Sequence, residues 1–175
     1  MTEKSRWGNV DRNAPLELHT ETVKPEYIDY NEHMNLAFYV LVFDHGTDEF
    51  FDYVGLDREY RAREPRTTFA LEAHTTYLRE LRLGAPAKVT TQLLDFDEKR
   101  IHFFHRMYHE SEGYLAATQE IISMHIDTDI RRGTPIPASI MENMHDLRER
   151  HRQLGKPEQA GHVIGIRRRS EVSEG

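Results

Sequence analysis

Hydrophobic and polar positions alternate with two different periods along the chain, and the change of period marks the elements. In residues 16–23 roughly every second position is apolar, which predicts a first strand. In residues 35–54 the apolar positions recur every three or four residues, which predicts one long helix. Asn35 suits the N-cap of that helix, and Gly55 suits its C-terminal end. Its apolar face is wide, so we expect other structure to wrap around it.

Four later segments have strand character and are separated by short turns. They cover residues 67–81, 87–97, 100–110 and 114–129. Such short connections favour hairpins and an antiparallel sheet, because parallel strands need long crossovers. Residues 138–154 then predict a C-terminal helix. This order of elements predicts an α+β fold in which an antiparallel sheet surrounds one helix.

The length of 175 residues suits one domain rather than two. We expect a polar arm over residues 1–15, a single domain over residues 16–154 and a flexible tail over residues 155–175. Residues 56–66 are charged and predict a loop.

Composition and charge exclude several classes of function. The chain has no cysteine, which excludes a thiol nucleophile, a disulfide framework and a zinc site built on cysteine. The net charge of −7 argues against nonspecific nucleic-acid binding. No apolar run is long enough to cross a bilayer and the start does not look like a signal peptide, so we expect a cytoplasmic protein without a membrane partner. The 11 histidines suggest acid–base or metal chemistry.

The densest polar group lies between the first strand and the long helix. Asp29, Asn31 and His33 alternate there, and Asn35 opens the helix. The first turn of a helix offers unpaired N–H groups and a favourable dipole, which can stabilise an oxyanion. A carboxylate and an imidazole beside it can act as base or nucleophile and as proton donor. The same residues could also do no more than cap the helix.

This motif resembles the start of the hotdog-fold acyl-CoA thioesterases. Asp29-x-Asn31-x-His33 is similar to the signature of plant acyl-ACP thioesterases, and residues 77–84 look like the family's second strand and turn. The segments VKPEYIDYNEHMNLAFYVLVFDH, YLRELRLG and AATQE are most similar to the betainyl-CoA thioesterases of carnitine catabolism. The resemblance implies hydrolysis of an acyl-CoA, most closely betainyl-CoA, without a metal or cofactor. Another short or aromatic acyl group is the alternative.

The same resemblance implies an architecture and roles for residues. It implies a five-stranded antiparallel sheet around the helix, and a homodimer or a tetramer of dimers with active sites at the interface. It makes Asp29 the nucleophile or general base, and it gives Asn31 and His33 the task of positioning water and substrate. Asn35 matches the Asn at the helix start. Glu72 is the candidate for a further acidic residue on the second strand, although a solvent-facing position is the alternative.

A betaine acyl group needs aromatic faces around its trimethylammonium. Five aromatic residues near the motif are candidates for binding the substrate, with ordinary core packing as the alternative: Tyr30, Phe38, Tyr39, Phe69 and Tyr77. The phosphates of CoA need a local basic patch. Arginines within residues 58–66, 79–82 and 131–132 could supply it, or could simply lie in solvated loops.

Three other functions stay open. A hotdog hydratase has a similar motif, but with one more residue before its His and usually a Gly where this chain has Ile28. A metal protein could use His102, His105 and His109, but on a strand His102 would face away from the other two. A non-catalytic acyl-CoA-binding module would keep the fold without the hydrolysis.

Overall fold

The computed structural model describes residues 10–166 of the chain, so residues 1–9 and 167–175 of the predicted arm and tail lie outside the described residues. The division into arm, domain and tail stays a prediction. A single 3₁₀ turn covers Pro25–Tyr27. The helices and strands, in chain order, are β1 (Leu16–Thr22), α1 (Leu36–Val54), α2 (Arg58–Arg63), β2 (Arg66–Tyr77), β3 (Pro86–Phe96), β4 (Arg100–His109), β5 (Leu115–Asp127), β6 (Arg132–Gly133) and α3 (Ala138–Arg152).

The five long strands form one antiparallel sheet in the order β1-β3-β4-β5-β2. This confirms the α+β prediction of an antiparallel sheet with one long helix and a C-terminal helix. The two-residue strand β6 pairs with the end of β5 and was not predicted. β3, β4 and β5 follow one another as hairpins, whereas β2 pairs with β5 at the far side of the sheet. The two edges of the sheet are therefore β1 and β2.

The helix α1 packs against β1, β3 and β4, with Phe43 and Phe50 fully buried. Its start is capped by Asn35, whose Oδ1 accepts the N–H of Ala37 at 3.0 Å. Its end is set by Gly55, which has a left-handed φ of 104° that favours glycine. Both predicted helix ends are thus confirmed, because each depends on local side-chain chemistry.

Part of the apolar face of α1 has no cover in the single chain. Leu36, Val40 and Leu41 are 63%, 41% and 36% exposed. Leu36 and Val40 lie beside the edge strand β2, since Leu36 lines a cleft with Tyr77 and Val40 lines a cavity with Thr67 and Thr68. No helix within the described part of the chain is long and apolar enough to cross a membrane.

The prediction of a loop over residues 56–66 was wrong for its middle, which forms α2. Asp57 caps this short helix, since its Oδ1 accepts the N–H of Tyr60 at 2.7 Å. The Tyr60 side chain is buried, and its hydroxyl lies 2.9 Å from Nε2 of His125. The cap and this one buried side chain hold the turn, although the surrounding residues are charged.

Candidate active site

The polar motif folds into a tight loop directly before α1. The N–H of Asp29 donates to the carbonyl of His33 at 3.1 Å, and Ile28 bridges Met34 across the loop. Glu32, at the turn, has a φ of 64°, which is uncommon for a residue other than glycine. The loop therefore returns the chain to the start of the helix and keeps the motif residues together.

The carboxylate of Asp29 is held in one orientation by its own loop. Oδ1 accepts the N–H of Asn31 at 2.8 Å, and Oδ2 accepts Nδ2 of Asn35 at 3.4 Å. Nδ1 of His33 lies 4.0 Å from Oδ1. The side chain of Asp29 is mostly buried, whereas that of His33 is about one third exposed. Asp29 thus holds its two carboxylate oxygens in a fixed position at the N-terminal end of α1, where the helix dipole is positive.

The first turn of α1 leaves one backbone donor free beside this carboxylate. The N–H of Ala37 is taken by the side chain of Asn35, and the N–H of Phe38 donates to the Asn35 carbonyl at 3.0 Å. The N–H of Leu36 has no partner among residues 10–166. No acidic residue lies in the first turn to compete for the dipole. A carbonyl oxygen of a ligand can therefore be polarised there.

The loop and the helix start line a cleft of about 450 Å³. Its walls come from the loop, from the first turn of α1 and from the end of β2, and they include Tyr30, Tyr39, Tyr77 and Arg79. The Tyr77 hydroxyl donates to the carbonyl of Leu36 at 3.3 Å. The Tyr39 hydroxyl accepts the N–H of Leu81 at 2.9 Å, and burial raises its pKa. Two tyrosines thus tie the end of β2 to the helix start.

The structure brings most of the predicted site residues into this one cleft. They are Asp29, Tyr30, Asn31, His33, Asn35, Tyr39 and Tyr77. Three others lie elsewhere in the single chain. Phe38 stacks on Tyr27 with ring centroids 4.5 Å apart. Phe69 and Glu72 pair with residues of β5, and Glu72 lies next to Ala73, which faces α1, so it points to the opposite face of the sheet. Their assigned roles stay predictions.

A second cavity of about 320 Å³ lies between α1 and the strands β2 and β5. We call it the acidic cavity, since Asp44 and Asp48 of α1 line it together with Ser123 and Gln119 of β5. Sequence reasoning missed both carboxylates. The sequence feature that could have identified them is their spacing of four residues, which places two acids on one side of a largely apolar helix.

The three histidines of β4 do not converge on a metal. His105 is fully buried, and its ring nitrogens lie 2.9 Å from the hydroxyls of Thr47 and Thr91. Burial lowers the pKa of His105 to about 3, so the ring is neutral. His102 faces the other side of the sheet, 2.8 Å from Glu120. The hypothesis of a metal site on this strand is therefore wrong.

Comparisons with known proteins agree with this geometry. The sequence profile of the thioesterase-like superfamily matches residues 23–144. The betainyl-CoA thioesterase of Pseudomonas aeruginosa is 38% identical over 86% of this chain and 95% of its own length. The L-carnitine dehydrogenase/betainyl-CoA thioesterase of Rhizobium meliloti is 33% identical over 91% of this chain, which matches 32% of that longer protein.

Two solved structures share the fold at similar identity. A hypothetical protein of Staphylococcus aureus, solved in complex with CoA, superposes with a TM-score of 0.81 at 37% identity, over 87% of this chain and 97% of the other. A putative thioesterase of Pseudomonas putida KT2440 superposes with a TM-score of 0.76 at 30% identity, over 89% and 99% of the two chains. The family model, over residues 23–144, includes the whole Asp29 motif.

Proposed function

Because the chain belongs to the thioesterase-like superfamily, we propose that it hydrolyses an acyl-CoA thioester, with betainyl-CoA as the substrate. The observation that carries the proposal is the pairing of a fixed carboxylate, Asp29, with the free N–H of Leu36 at the start of α1. The identity of the acyl group is supported by the Pseudomonas aeruginosa relative, which carries the name of that activity. A cytoplasmic location is part of the proposal.

The reaction follows from these two groups. The thioester carbonyl oxygen accepts the N–H of Leu36, and the positive end of α1 favours the charge that develops on that oxygen. Asp29 takes a proton from a water whose oxygen bonds to the carbonyl carbon; the carbon–sulfur bond then breaks and the CoA thiolate leaves. Direct attack by the carboxylate, followed by hydrolysis of the anhydride, is the other route open to the same residue. His33 and Asn31 lie where they can orient the water.

CoA itself needs a cationic contact near the mouth of the cleft. Arg79 lines the cleft, and its guanidinium lies over the ring of Tyr114 at 3.7 Å from the centroid. Arg82 is less suitable, because it pairs with Glu80 at 2.7 Å. We therefore assign Arg79 to the phosphates of the substrate.

The proposal includes a homodimer formed through β2. This twelve-residue strand is a sheet edge, and its middle, residues 69–73, is exposed. Long exposed edge strands with apolar side chains favour pairing with another strand. Leu36 and Val40 of α1 lie beside the same edge and would be buried with it. A tetramer of such dimers is the alternative prediction.

Thiol release from a panel of acyl-CoAs tests the function. We expect betainyl-CoA to be hydrolysed faster than straight-chain and aromatic acyl-CoAs. Asp29→Asn, which keeps the shape and removes the base, should lower kcat by about 10²- to 10⁴-fold. Glu142→Gln, an exposed change on α3, is the matched control and should behave as the wild type.

Three results would contradict the proposal. Hydration of crotonyl-CoA without thiol release would identify a hydratase. Acyl-CoA binding without any turnover would identify a binding module. Unchanged turnover by Asp29→Asn would remove the mechanism.

A further inference from the structure

The acidic cavity carries two carboxylates without a cationic partner. Asp44 and Asp48 are one turn apart on α1, and neither has an ion pair or a hydrogen bond with another residue in the described range 10–166. Burial and the charge of Asp48 raise the pKa of Asp44. The arginine in the lining, Arg61, donates to the carbonyl of Leu56 at 2.7 Å and lies 3.7 Å from Asp52. The cavity therefore has an excess of negative charge.

A second observation on β5 also points to a ligand in this cavity. Ser123 is only 1% exposed and lines the cavity, yet its hydroxyl makes no hydrogen bond to any described residue. Gln119 is 3% exposed, and its amide nitrogen donates to the Thr75 hydroxyl at 2.9 Å, while its carbonyl oxygen has no partner within residues 10–166. The Ser123 hydroxyl therefore offers a hydrogen-bonding oxygen to whatever occupies the cavity. The same wall is kept open by a small residue, Ala70, which pairs with Ser123 on the neighbouring strand and also lines the cavity.

The cavity is too far from the Asp29 cleft of the same chain to share a small acyl group with it. Asp44 lies nine residues after Asn35, which is about 13 Å along a helix. In a betaine thioester a single methylene separates the carbonyl carbon from the nitrogen. One chain therefore cannot bind both ends of this group.

Pairing of two copies through β2 removes this difficulty. An antiparallel pair related by a two-fold axis at the middle of the strand brings its two ends, Arg66 and Tyr77, opposite each other. Tyr77 lines the Asp29 cleft, whereas Thr67 and Thr68 line the acidic cavity. The acidic cavity of one copy then lies beside the cleft of the other.

We propose that Asp44 and Asp48 of one copy bind the trimethylammonium group of a betainyl-CoA whose thioester lies at Asp29 of the other copy. The inference rests on the proposed function and on its dimer. A quaternary ammonium has no N–H to donate, so it is recognised by charge and by aromatic contact. The two carboxylates supply the charge, and Phe51, which lines the same cavity, supplies an aromatic side chain. The oxygens of Ser123 and Gln119 add acceptors for the polarised N-methyl hydrogens.

A neutral isostere separates charge recognition from catalysis. 3,3-Dimethylbutyryl-CoA has a carbon in place of the nitrogen and otherwise the shape of betainyl-CoA. For the wild type, we expect kcat/KM for betainyl-CoA to exceed that for the isostere by at least tenfold. In the double variant Asp44→Asn/Asp48→Asn this ratio should fall at least tenfold, mainly through KM. The Glu142→Gln control should keep it.

Complementation between variants tests whether the two sites come from different chains. A hybrid dimer of an Asp29→Asn chain and an Asp44→Asn/Asp48→Asn chain, purified through two different tags, contains one intact composite site. It should have about half the betainyl-CoA turnover of the wild type, whereas each parent dimer is impaired. If the residues acted within one chain, the hybrid would contain no intact site and would stay impaired.

The outcomes separate the two levels of the proposal. A wild type that releases thiol from no acyl-CoA overturns the proposed function. A wild type that hydrolyses betainyl-CoA faster than the rest of the acyl-CoA panel but no faster than the neutral isostere overturns this inference alone. An unchanged ratio in the double variant, or a hybrid that is not restored, also overturns it while leaving the hydrolase assignment in place.

Discussion

Acidification from pH 7 to pH 5 should destabilise the fold through two buried histidines. Burial lowers the pKa of His105 from 6.5 to about 3 and that of His151 from 6.5 to about 4. In the unfolded chain both rings take up a proton as the pH falls through 6.5, whereas in the folded chain both stay neutral down to their lowered pKa values. Protons therefore favour the unfolded state. Between pH 7 and pH 5, this linkage lowers the free energy of unfolding by about 2 kcal/mol for each histidine, or about 4 kcal/mol for the two together.

The hydrogen bonds of His105 agree with a neutral ring. The Thr47 hydroxyl donates to the carbonyl of Phe43 at 3.0 Å, so it can only accept from Nε2 of His105. The other nitrogen, Nδ1, then accepts from the hydroxyl of Thr91. One proton on the ring satisfies both hydrogen bonds. A second proton, on Nδ1, would remove the acceptor for the Thr91 hydroxyl in a fully buried site.

Urea unfolding at pH 7 and pH 5, at one protein concentration, measures the effect. His105→Gln is expected to be less stable at both pH values, so the readout is the difference between the two. That difference should shrink by about 2 kcal/mol relative to the wild type. His162→Gln, an exposed substitution, is the control and should keep the wild-type difference. Equal losses in His105→Gln and the wild type would refute the reasoning.

Two further predictions concern packing and assembly. Gly46→Ala should lower the free energy of unfolding by up to about 2 kcal/mol in the same assay, because a Cβ there would lie 2.8 Å from Cγ1 of Val89 and overpacking outweighs the gain in helix propensity. Gly165→Ala, with no atom within 4 Å of its Cβ, should change little. Leu71→Lys, in the exposed middle of β2, should reduce the mass measured by light scattering from two chains to one, whereas Leu83→Lys outside the strand should not. A two-chain mass for Leu71→Lys would exclude this edge as the interface.

The sequence predicts those parts of the fold that depend on neighbours in the chain. The cap at Asn35, the end at Gly55 and the successive hairpins each follow from local patterns. The position of β2 does not, because its pairing with β5 joins Arg66 to Asp127 across a long stretch of sequence. The helix α2 was missed for a related reason: it is held by one cap and one buried side chain rather than by a periodic face.

The candidate site divides in the same way. Asp29, Asn31, His33 and Asn35 are close in sequence, so their meeting at one helix start could be predicted. The acidic cavity could not, because it forms only where α1, β2 and β5 come together. Glu72 shows the limit most clearly. It was a candidate by its place on the second strand, and the irregular register between Ala70 and Glu72 means that simple alternation along the strand does not give the direction of its side chain.

The middle of α1 is fixed to the sheet at two neighbouring points, which has a consequence for the distant end of the helix. Gly46 touches Val89, and Thr47 is bonded to His105. A helix is stiff along its axis, so these two contacts set how far its first turn projects from the sheet. The position of that turn determines how far the Leu36 N–H lies from the Asp29 carboxylate. The alignment of the reacting groups is therefore adjusted from the middle of the helix, about 15 Å away along its axis.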